Sequence, residues 1–369
     1  MIKKWIGVVV AISVVLALVV LMGGTGCAKP AEEATYDWKI SQPYPSGMML
    51  YDLVEDFMGR VADTSDGRIT ITHYPGDLLG DYSVQQESVA AGTHEMCYTW
   101  PLTSLNPKWD AMWLGYIMYN WEQGIEAVKS GGWLLSIFDP IAEETNWKII
   151  GVVPTGETNV QSKQLYDPLN PEGRKVRIQP TSSWVARFEA LGYSPVTMPM
   201  SEVATGLATG AIDAAAGFAQ QEMRVYGDCF TYVYCYHDMY TGTMGVMNLD
   251  TWNSLSAEDQ EIVQKAMARS IDAVEGRFGD LVAKDWNDLL DWQIVVSLDG
   301  DAWSTCAEKA RAAEWTAAEE WIGKDLVDVI REHAEPLPWG LTIDEMDYGF
   351  GVLTSDWIIA RQGEVITGP

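Results

Sequence analysis

The stretch 173–217 alternates short apolar segments with amphipathic ones, and this alternation restricts the chain to a small set of folds. The pattern predicts one helix with Trp184 and Phe188 on its apolar face and a second helix that ends at Gly210. A βαβαβ unit of this kind has parallel strands and binds ligands beyond their carboxyl ends. Its three strands are predicted at 176–178, 195–198 and 211–214.

Arg177 stands in the first of these strands, between the apolar residues Val176 and Ile178. A guanidinium in an apolar strand requires an anionic partner, and a ligand carboxylate supplies one in two-pronged geometry. The sequence therefore predicts that Arg177 binds a carboxylate. A structural ion pair with Glu202 or Asp213 is the alternative.

The N-terminal part of the chain follows the same logic. Apolar alternation predicts a strand at 38–40, and the turn Asp66-Gly67 leads into a second strand. Apolar runs at 146–153 and 240–249 predict two strands on which the chain crosses between lobes. The other elements predicted here are helices at 47–64 and 82–91 and strands at 68–74 and 95–98.

The chain beyond its N-terminal segment is too long for one ordinary hydrophobic core, which predicts two lobes. Together with the βαβαβ patterns, this predicts an α/β protein of two lobes. A capping box at Ser256 begins one long C-terminal helix, and an Ala- and Glu-rich pattern predicts another at 305–333. The predicted divisions are lobe I at 36–150 and 243–290, lobe II at 151–242 and 291–335, and a helical tail at 336–369.

Three segments resemble one protein family, in the order that the family has them. GRKVRIQ (173–179) is similar to the GxKxR segment of the extracytoplasmic solute receptors of TRAP transporters, the tripartite ATP-independent periplasmic carriers. SEVATGLATGAIDAA (201–215) resembles their segment E-V-Y-x-A-L-Q-x-G-x-V-D-G, and 65–96 is similar to their TnGrixixvyPxgxLG segment. The resemblance, to receptors of the dicarboxylate type, implies a periplasmic-binding-protein fold with a hinge and long C-terminal helices that brace two lobes.

The resemblance also implies roles for residues. In this family the arginine of the motif clamps the carboxylate of the solute, and a TRAP-type membrane permease receives the solute. The polar or acidic residue that often follows the V-D-G turn is absent here, since Gly217 and Phe218 stand in this region. This departure argues against a sialic-acid-like or metal-chelated ligand. It favours a smaller or more apolar carboxylate with Phe218 as a wall, and no cofactor or metal is expected.

Loops at strand ends supply the other pocket candidates, because such loops face the cleft of a two-lobed receptor. For Trp100 and Tyr240, packing in the core is the alternative. The predicted pocket consists of Tyr44, Tyr98, Thr99, Trp100, Glu157, Asn159, Arg177, Gln179, Gly217, Phe218 and Tyr240.

The first 27 residues have the pattern of a signal peptide, with Lys3 and Lys4 before an uncharged apolar run. Small residues precede Cys27, which predicts lipoprotein processing with an acylated Cys27, followed by a polar tether at 28–35. An uncleaved membrane anchor and simple secretory cleavage are the alternatives. All three place the folded part outside the cytoplasmic membrane.

Composition excludes several functions. With 52 acidic and 24 basic residues the net charge is −28, so the surface repels nucleic acid. No Gly-x-Ser-x-Gly elbow or Walker loop is present, which argues against an enzyme. The remaining alternatives are an amino-acid receptor of an ABC importer, with Glu157 as the group for the ammonium, and an extracellular enzyme. The other four cysteines are predicted to be buried thiols rather than disulfides: Cys97, Cys229, Cys235 and Cys306.

Overall fold

The structure is a computed structural model that describes residues 34–118, 121–219, 223, 229–277, 281, 284, 293–298, 300–334, 357–361 and 364–367. The signal peptide, Cys27 and most of the tether lie outside these residues. The strands are β1 (Tyr36–Gln42), β2 (Ile69–Pro75), β3 (Met96–Thr99), β4 (Trp147–Glu157), β5 (Asn159–Ser162), β6 (Lys175–Ile178), β7 (Ser194–Thr197), β8 (Ala214–Phe218), β9 (Tyr232–Cys235), β10 (Tyr240–Asn248), β11 (Ile294–Leu298), β12 (Trp357–Arg361) and β13 (Glu364–Thr367). The helices are α1 (Met49–Thr64), α2 (Tyr82–Ala90), a 3₁₀ helix (Pro107–Trp113), α3 (Trp121–Val128), α4 (Trp133–Glu144), α5 (Ser182–Ala190), α6 (Val203–Thr209), α7 (Leu249–Ser254), α8 (Ala257–Glu275), α9 (Gly300–Ile322) and α10 (Lys324–His333).

The first sheet has five strands in the order β2-β1-β3-β10-β4. β1 and β3 are parallel, with Ile40 beside Met96, and β10 runs antiparallel to β3 and β4. Helix α1 buries Leu53 and Phe57, as the helical spacing predicts, and packs against α8. The strands and helices predicted for the N-terminal part are therefore confirmed.

The second sheet has eight strands in the order β13-β12-β11-β9-β5-β8-β6-β7. β6 pairs in parallel with β7 and with β8, and α5 and α6 form the two crossovers. The predicted βαβαβ unit is thus present at one end of this sheet. Two sheets with helices confirm the predicted α/β class.

The third strand of this unit begins later than predicted, at Ala214 instead of residue 211. The backbone N–H groups of Ala211 and Ile212 both bond to Gly206 O, at 2.9 and 3.3 Å. Gly210 ends α6 with a φ of 73°, a conformation that glycine adopts without steric cost. Residues 211–213 therefore belong to the turn after the helix.

The chain changes sheets at Thr158, between β4 and β5, and returns between Cys235 and Tyr240. β4 and β10, the strands on the first-sheet side of both crossings, are neighbours and pair along their whole length. Two of the three predicted lobe boundaries, 150/151 and 242/243, fall inside these two strands. The division into lobes stays a prediction.

The C-terminal part departs from its prediction in two places. The predicted helix 305–333 is two helices, separated at Gly323, whose φ of 90° suits glycine. The helical tail is wrong where the structure describes it, because Trp357–Arg361 is a strand paired with β11. A short apolar run of this kind does not distinguish strand from helix by periodicity. The long helix α9 packs against α5 and the 3₁₀ helix.

Several tryptophans form the core. The largest fully buried side chains include Trp109, Trp147, Trp184 and Trp303. None of the helices in the described ranges is long and apolar enough to cross a bilayer.

Candidate ligand-binding site

Arg177 lies on β6 with its side chain completely buried. Its Nε donates to Met198 O at 2.8 Å and its Nη1 to Ala216 O at 3.1 Å. Its Nη2 donates to Gln179 Oε1 at 3.2 Å, and its Cζ lies 5.8 Å from the centroid of the Phe218 ring. The structure therefore brings Arg177, Gln179 and Phe218 together, and main-chain oxygens from neighbouring segments orient the guanidinium.

Gly217 contributes no side chain to the Arg177 group, and its lack of a Cβ leaves room for a neighbouring ring. Its φ is 93°, and a Cβ at this position would lie 2.9 Å from Cη2 of Trp184. The Trp184 indole is fixed there, because its Nε1 donates to Trp113 O at 2.7 Å. Trp184 was not among the predicted pocket residues, although its place on the apolar face of α5 is as predicted.

A second group gathers at the end of β3. The rings of Tyr44 and Trp100 meet edge to face with centroids 5.1 Å apart. Gln86 of α2 braces this loop: its Nε2 donates to Thr99 Oγ1 and to Trp100 O, both at 2.9 Å, and its Oε1 accepts from Leu102 N at 3.0 Å. Gln86 was missed from the sequence, because a glutamine in a helix gives no signal of its partners.

Two observations connect the groups. Thr103 lies in the loop after Trp100, and its Oγ1 donates to Pro180 O at 3.0 Å. Pro180 directly follows Gln179 in the chain. Burial raises the pKa of the Tyr82 phenol at the start of α2, and the positive charge of Arg177 acts on it in the opposite direction. The start of α2 and the loop after β3 therefore face the Arg177 group.

Tyr98 lies apart from Thr99, because successive residues of a strand point to opposite faces of the sheet. The Tyr98 ring lies over Gly245 of β10, where a Cβ would be 2.9 Å from its Cε2. Burial raises the pKa of this phenol, and the negative charge of Glu275 of α8 raises it further. The structure thus places Tyr98 on the α8 side and corrects the prediction that it shares a pocket with Thr99.

Tyr240, at the start of β10, lines an apolar cavity between β4, β10 and the helices α3 and α4. Its role in ligand binding stays a prediction. The other residues of the cavity wall are Ala111, Met112, Leu114, Ile117, Met118, Gly124, Val128, Leu134, Phe138, Val152 and Gly242.

Glu157 and Asn159 lie on either side of the crossing at Thr158. Glu157 is buried with its Oε1 2.8 Å from Nδ1 of His237, and burial raises its pKa although His237 acts in the opposite direction. Asn159 stands beside Phe218 on the neighbouring strand, and its Nδ2 donates to Glu157 O at 3.1 Å. Asn159 therefore flanks the Arg177 group, while Glu157 contacts the second crossing.

A second arginine, Arg187 of α5, is also buried, and the sequence motifs assign no site role to it. It lies three residues after Trp184 and four before Leu191, which puts a charge on the apolar face of the helix. A charged residue on an apolar helix face is the sequence signal that could have indicated a role for Arg187. Its Nη1 lies 3.0 Å from Oδ2 of Asp238, in the second crossing.

The four cysteines that the structure describes are free thiols, as predicted. Cys97 and Cys235 are buried, while Cys229 and Cys306 are only partly so. Among the described residues no three His, Cys, Asp or Glu side chains are grouped so that they could hold a metal ion.

Comparison with known proteins places this fold in a family. Residues 40–310 match the bacterial extracellular solute-binding proteins of family 7, DctP. The chain belongs to this family. Its family 7 relatives include a solute-binding protein of Roseobacter denitrificans, 26% identical over 69% of this chain and 79% of the relative. The sialic acid-binding periplasmic protein SiaP of Vibrio cholerae is 24% identical over 63% of this chain and 71% of its own.

Solved structures of TRAP periplasmic solute-binding proteins share the fold of this family 7 chain. One from Desulfovibrio salexigens, with bound orotic acid, has a TM-score of 0.72 and 19% identity, covering 81% of this chain and 98% of that one. The ectoine-binding protein of the TeaABC TRAP transporter of Halomonas elongata has a TM-score of 0.72 and 20% identity, covering 80% and 98%. The resemblance to TRAP receptors that the sequence motifs indicate is confirmed.

Proposed function

We propose that this protein captures a small organic acid outside the cytoplasmic membrane and delivers it to a TRAP-type permease. Membership of the extracellular solute-binding family supports the receptor role. Relatives and proteins of the same fold are named for sialic acid, ectoine, orotic acid and succinate, all of which carry a carboxyl group.

One observation carries the proposal for a carboxylate. Arg177 is a fully buried cation on a strand of the βαβαβ unit, and its hydrogen bonds to Met198 O, Ala216 O and Gln179 Oε1 orient the guanidinium. A carboxylate that reaches this guanidinium in a water-excluded cleft gains a charge-assisted contact, which is stronger than one in water.

The surroundings of Arg177 support a compact or flat acid. Phe218 lies against the guanidinium, Trp184 fills the space beside Gly217, and Asn159 offers an amide at the edge. These neighbours favour a small or ring-shaped carboxylate with apolar faces over a large polyhydroxylated acid.

Two lobes built on the two sheets would close on the ligand about the crossings at Thr158 and 236–239. Small-angle scattering tests this motion, because closure lowers the radius of gyration when the ligand is added. An unchanged radius at saturating ligand would count against a hinged receptor.

The alternatives gain no support from the site. Glu157, the group for an ammonium in an amino-acid receptor, is buried against His237 instead of beside Arg177. No combination of nucleophile and base was found in the sequence for an enzyme. Attachment to the membrane through an acylated Cys27 remains part of the proposal. Mass spectrometry of the membrane fraction tests it, and an intact Met1 in the mature protein would refute it.

Calorimetry with a panel of small carboxylates tests the function. We expect Arg177→Ala to weaken binding by more than a hundredfold, since leaving one partner of a buried pair costs roughly 3–5 kcal/mol. Arg177→Lys recovers only part of the affinity, because an ammonium does not make the two-pronged contact. Lys175→Ala is the matched control, an exposed cation on the same strand. A loss below about tenfold for a folded Arg177→Ala protein would make Arg177 a structural residue.

A further inference from the structure

Arg187 is the centre of a buried cluster at the crossings between the two sheets. Its Nη1 lies 3.0 Å from Asp238 Oδ2 and its Nε 3.4 Å from Glu314 Oε1. Its Nη2 donates to Trp113 O at 3.3 Å, and its guanidinium stacks on the Trp184 ring at 4.5 Å. One cation therefore contacts two carboxyl groups from different parts of the chain.

A third carboxyl group faces the same helix. Asp110 accepts from Ser183 Oγ at 2.9 Å and from Ser183 N at 3.2 Å, one turn before Arg187 on the same side of α5. Asp110, Asp238 and Glu314 have relative exposures of 1%, 4% and 0%, and Arg187 has 0%. We name these four residues the arginine latch.

The latch joins segments that are distant in sequence. Glu314 Oε2 accepts from Gly115 N at 3.0 Å, which links α9 to the segment after the 3₁₀ helix. Asp238 Oδ1 accepts from Thr158 Oγ1 at 3.1 Å, which links the two crossings. Asp238 O also accepts from Tyr116 N at 2.6 Å. Relative motion of the two sheets would act on these contacts.

Charge balance makes the latch dependent on protons. If all three carboxyl groups were ionised, one guanidinium would leave two buried negative charges uncompensated, which a protein interior strongly disfavours. Burial raises the pKa of Glu314 to about 8 and that of Asp110 to about 6, against the stabilising effects of Arg187 and of backbone N–H donors. Burial also raises the pKa of Asp238, although Arg187 opposes it.

We propose that the arginine latch is a pH-sensitive lock on the closed receptor, which holds α5, α9 and the crossings together near neutral pH and loosens in alkali. This inference rests on the proposed receptor function, because only a receptor that opens and closes would be controlled by it. Solute would be held less tightly above pH 8 than at neutral pH.

The direction follows from the protonation states. Glu314 has an ordinary value of 4.5 and a folded-state pKa of about 8. Its contribution to stability is therefore fully present below 4.5 and is lost as pH rises through about 8. Above that pH, ionised Glu314 adds a negative charge beside Asp238, and the single guanidinium no longer balances the cluster.

Other titratable groups face the latch from the neighbouring elements. Burial raises the pKa values of Tyr116, Cys235 and Cys306, so these groups stay neutral near pH 8. Glu157 and His237 form a further titratable pair near the latch, because Asp238 and Glu157 interact electrostatically and His237 acts on Asp238. Glu157→Gln therefore serves as the variant that separates this pair from the latch.

Urea unfolding from pH 5 to pH 9.5 at constant ionic strength tests the protonation. The unfolding constant of the wild type relative to Glu314→Gln should rise by about tenfold per pH unit until pH 8 and then level off. Glu308→Gln, an exposed position on the same helix, should follow the wild type. A ratio that does not depend on pH would overturn the proposal.

Small-angle scattering of the ligand-bound protein tests the lock itself, at a carboxylate concentration that saturates the wild type at pH 7. The radius of gyration of the wild type and of Glu157→Gln should increase between pH 7 and pH 9, and that of Glu314→Gln should not. A constant wild-type radius would refute the lock even if Glu314 titrates. The urea measurement uses no solute, so a failure of carboxylate binding stays distinguishable from a failure of the latch. If Glu314→Gln does not fold, infrared spectroscopy of the wild type and of Glu157→Gln takes the place of that variant. Both proteins should show a band of a protonated carboxyl group that disappears near pH 8. Absence of that band would refute the proposal.

Discussion

Substitution of Gly217 by alanine tests whether the space beside Arg177 is as rigid as the structure indicates. A Cβ there would lie 2.9 Å from Cη2 and 3.0 Å from Cζ3 of Trp184, and the backbone has a φ of 93°. The indole cannot retreat easily, because its Nε1 is bonded to Trp113 O and Arg187 stacks on its ring. The new methyl group must therefore displace a well-packed side chain.

The cost has two parts. The left-handed backbone costs a non-glycine residue roughly 1–2 kcal/mol, and overpacking a buried site costs roughly 1–3 kcal/mol more. Gly210→Ala is the matched control: its φ is 73°, but nothing lies within 4 Å of the added Cβ. We expect a loss of about 2–5 kcal/mol for Gly217→Ala against about 1–2 kcal/mol for Gly210→Ala.

Urea unfolding followed by circular dichroism measures both free energies of unfolding. Calorimetry with a carboxylate that binds the wild type should also show weaker binding for Gly217→Ala, since Gln179 and Phe218 adjoin this position. If the two variants differ by less than about 0.5 kcal/mol, Trp184 moves aside freely. The wall beside Arg177 would then be adaptable rather than rigid.

Two further predictions concern stability and reactivity. Ser256→Ala should cost about 1 kcal/mol, because Ser256 caps α8. Asn248 caps α7 by accepting from Thr251 N, and its Nδ2 also donates to Val89 O. Asn248→Ala should therefore cost about 1–3 kcal/mol more than Ser256→Ala, and equal losses in urea unfolding would contradict this. Burial raises the pKa values of the Cys97 and Cys235 thiols, so neither should react with a disulfide reagent before unfolding; rapid labelling of either by mass spectrometry would show that the structure opens locally.

The sequence predicts the elements of this fold well where one periodicity dominates. Both βαβαβ patterns are found as predicted, because the apolar positions of α1 and α5 repeat at helical spacing and their strands are short apolar runs. The errors fall where a single residue determines the position at which a helix or strand begins or ends. Gly323 divides one predicted helix, and the turn after Gly210 delays β8. Neither effect is visible in a pattern averaged over many residues.

The candidate site divides in the same way. Arg177 is conspicuous because it interrupts an apolar strand, and its neighbours in sequence and in the family motif meet it in the structure. Glu314 lies in an Ala- and Glu-rich helix, where nothing in the sequence distinguishes it from the exposed Glu308. Tyr98 could have been separated from Thr99 by strand alternation alone. Partners such as Asp238 depend on tertiary packing, which no local pattern encodes.

The late position of β10 in the chain has a consequence for folding. β10 lies between β3 and β4 in the first sheet, so these strands lack their shared partner until Tyr240–Asn248 is available. Pairing over such sequence distances is slow, since closing a long loop costs entropy before the strands form stabilising contacts. Until then both strands present open edges that attract other chains. A chain truncated before Tyr240 would therefore aggregate, and a chaperone that shields strand edges would act on folding up to this point.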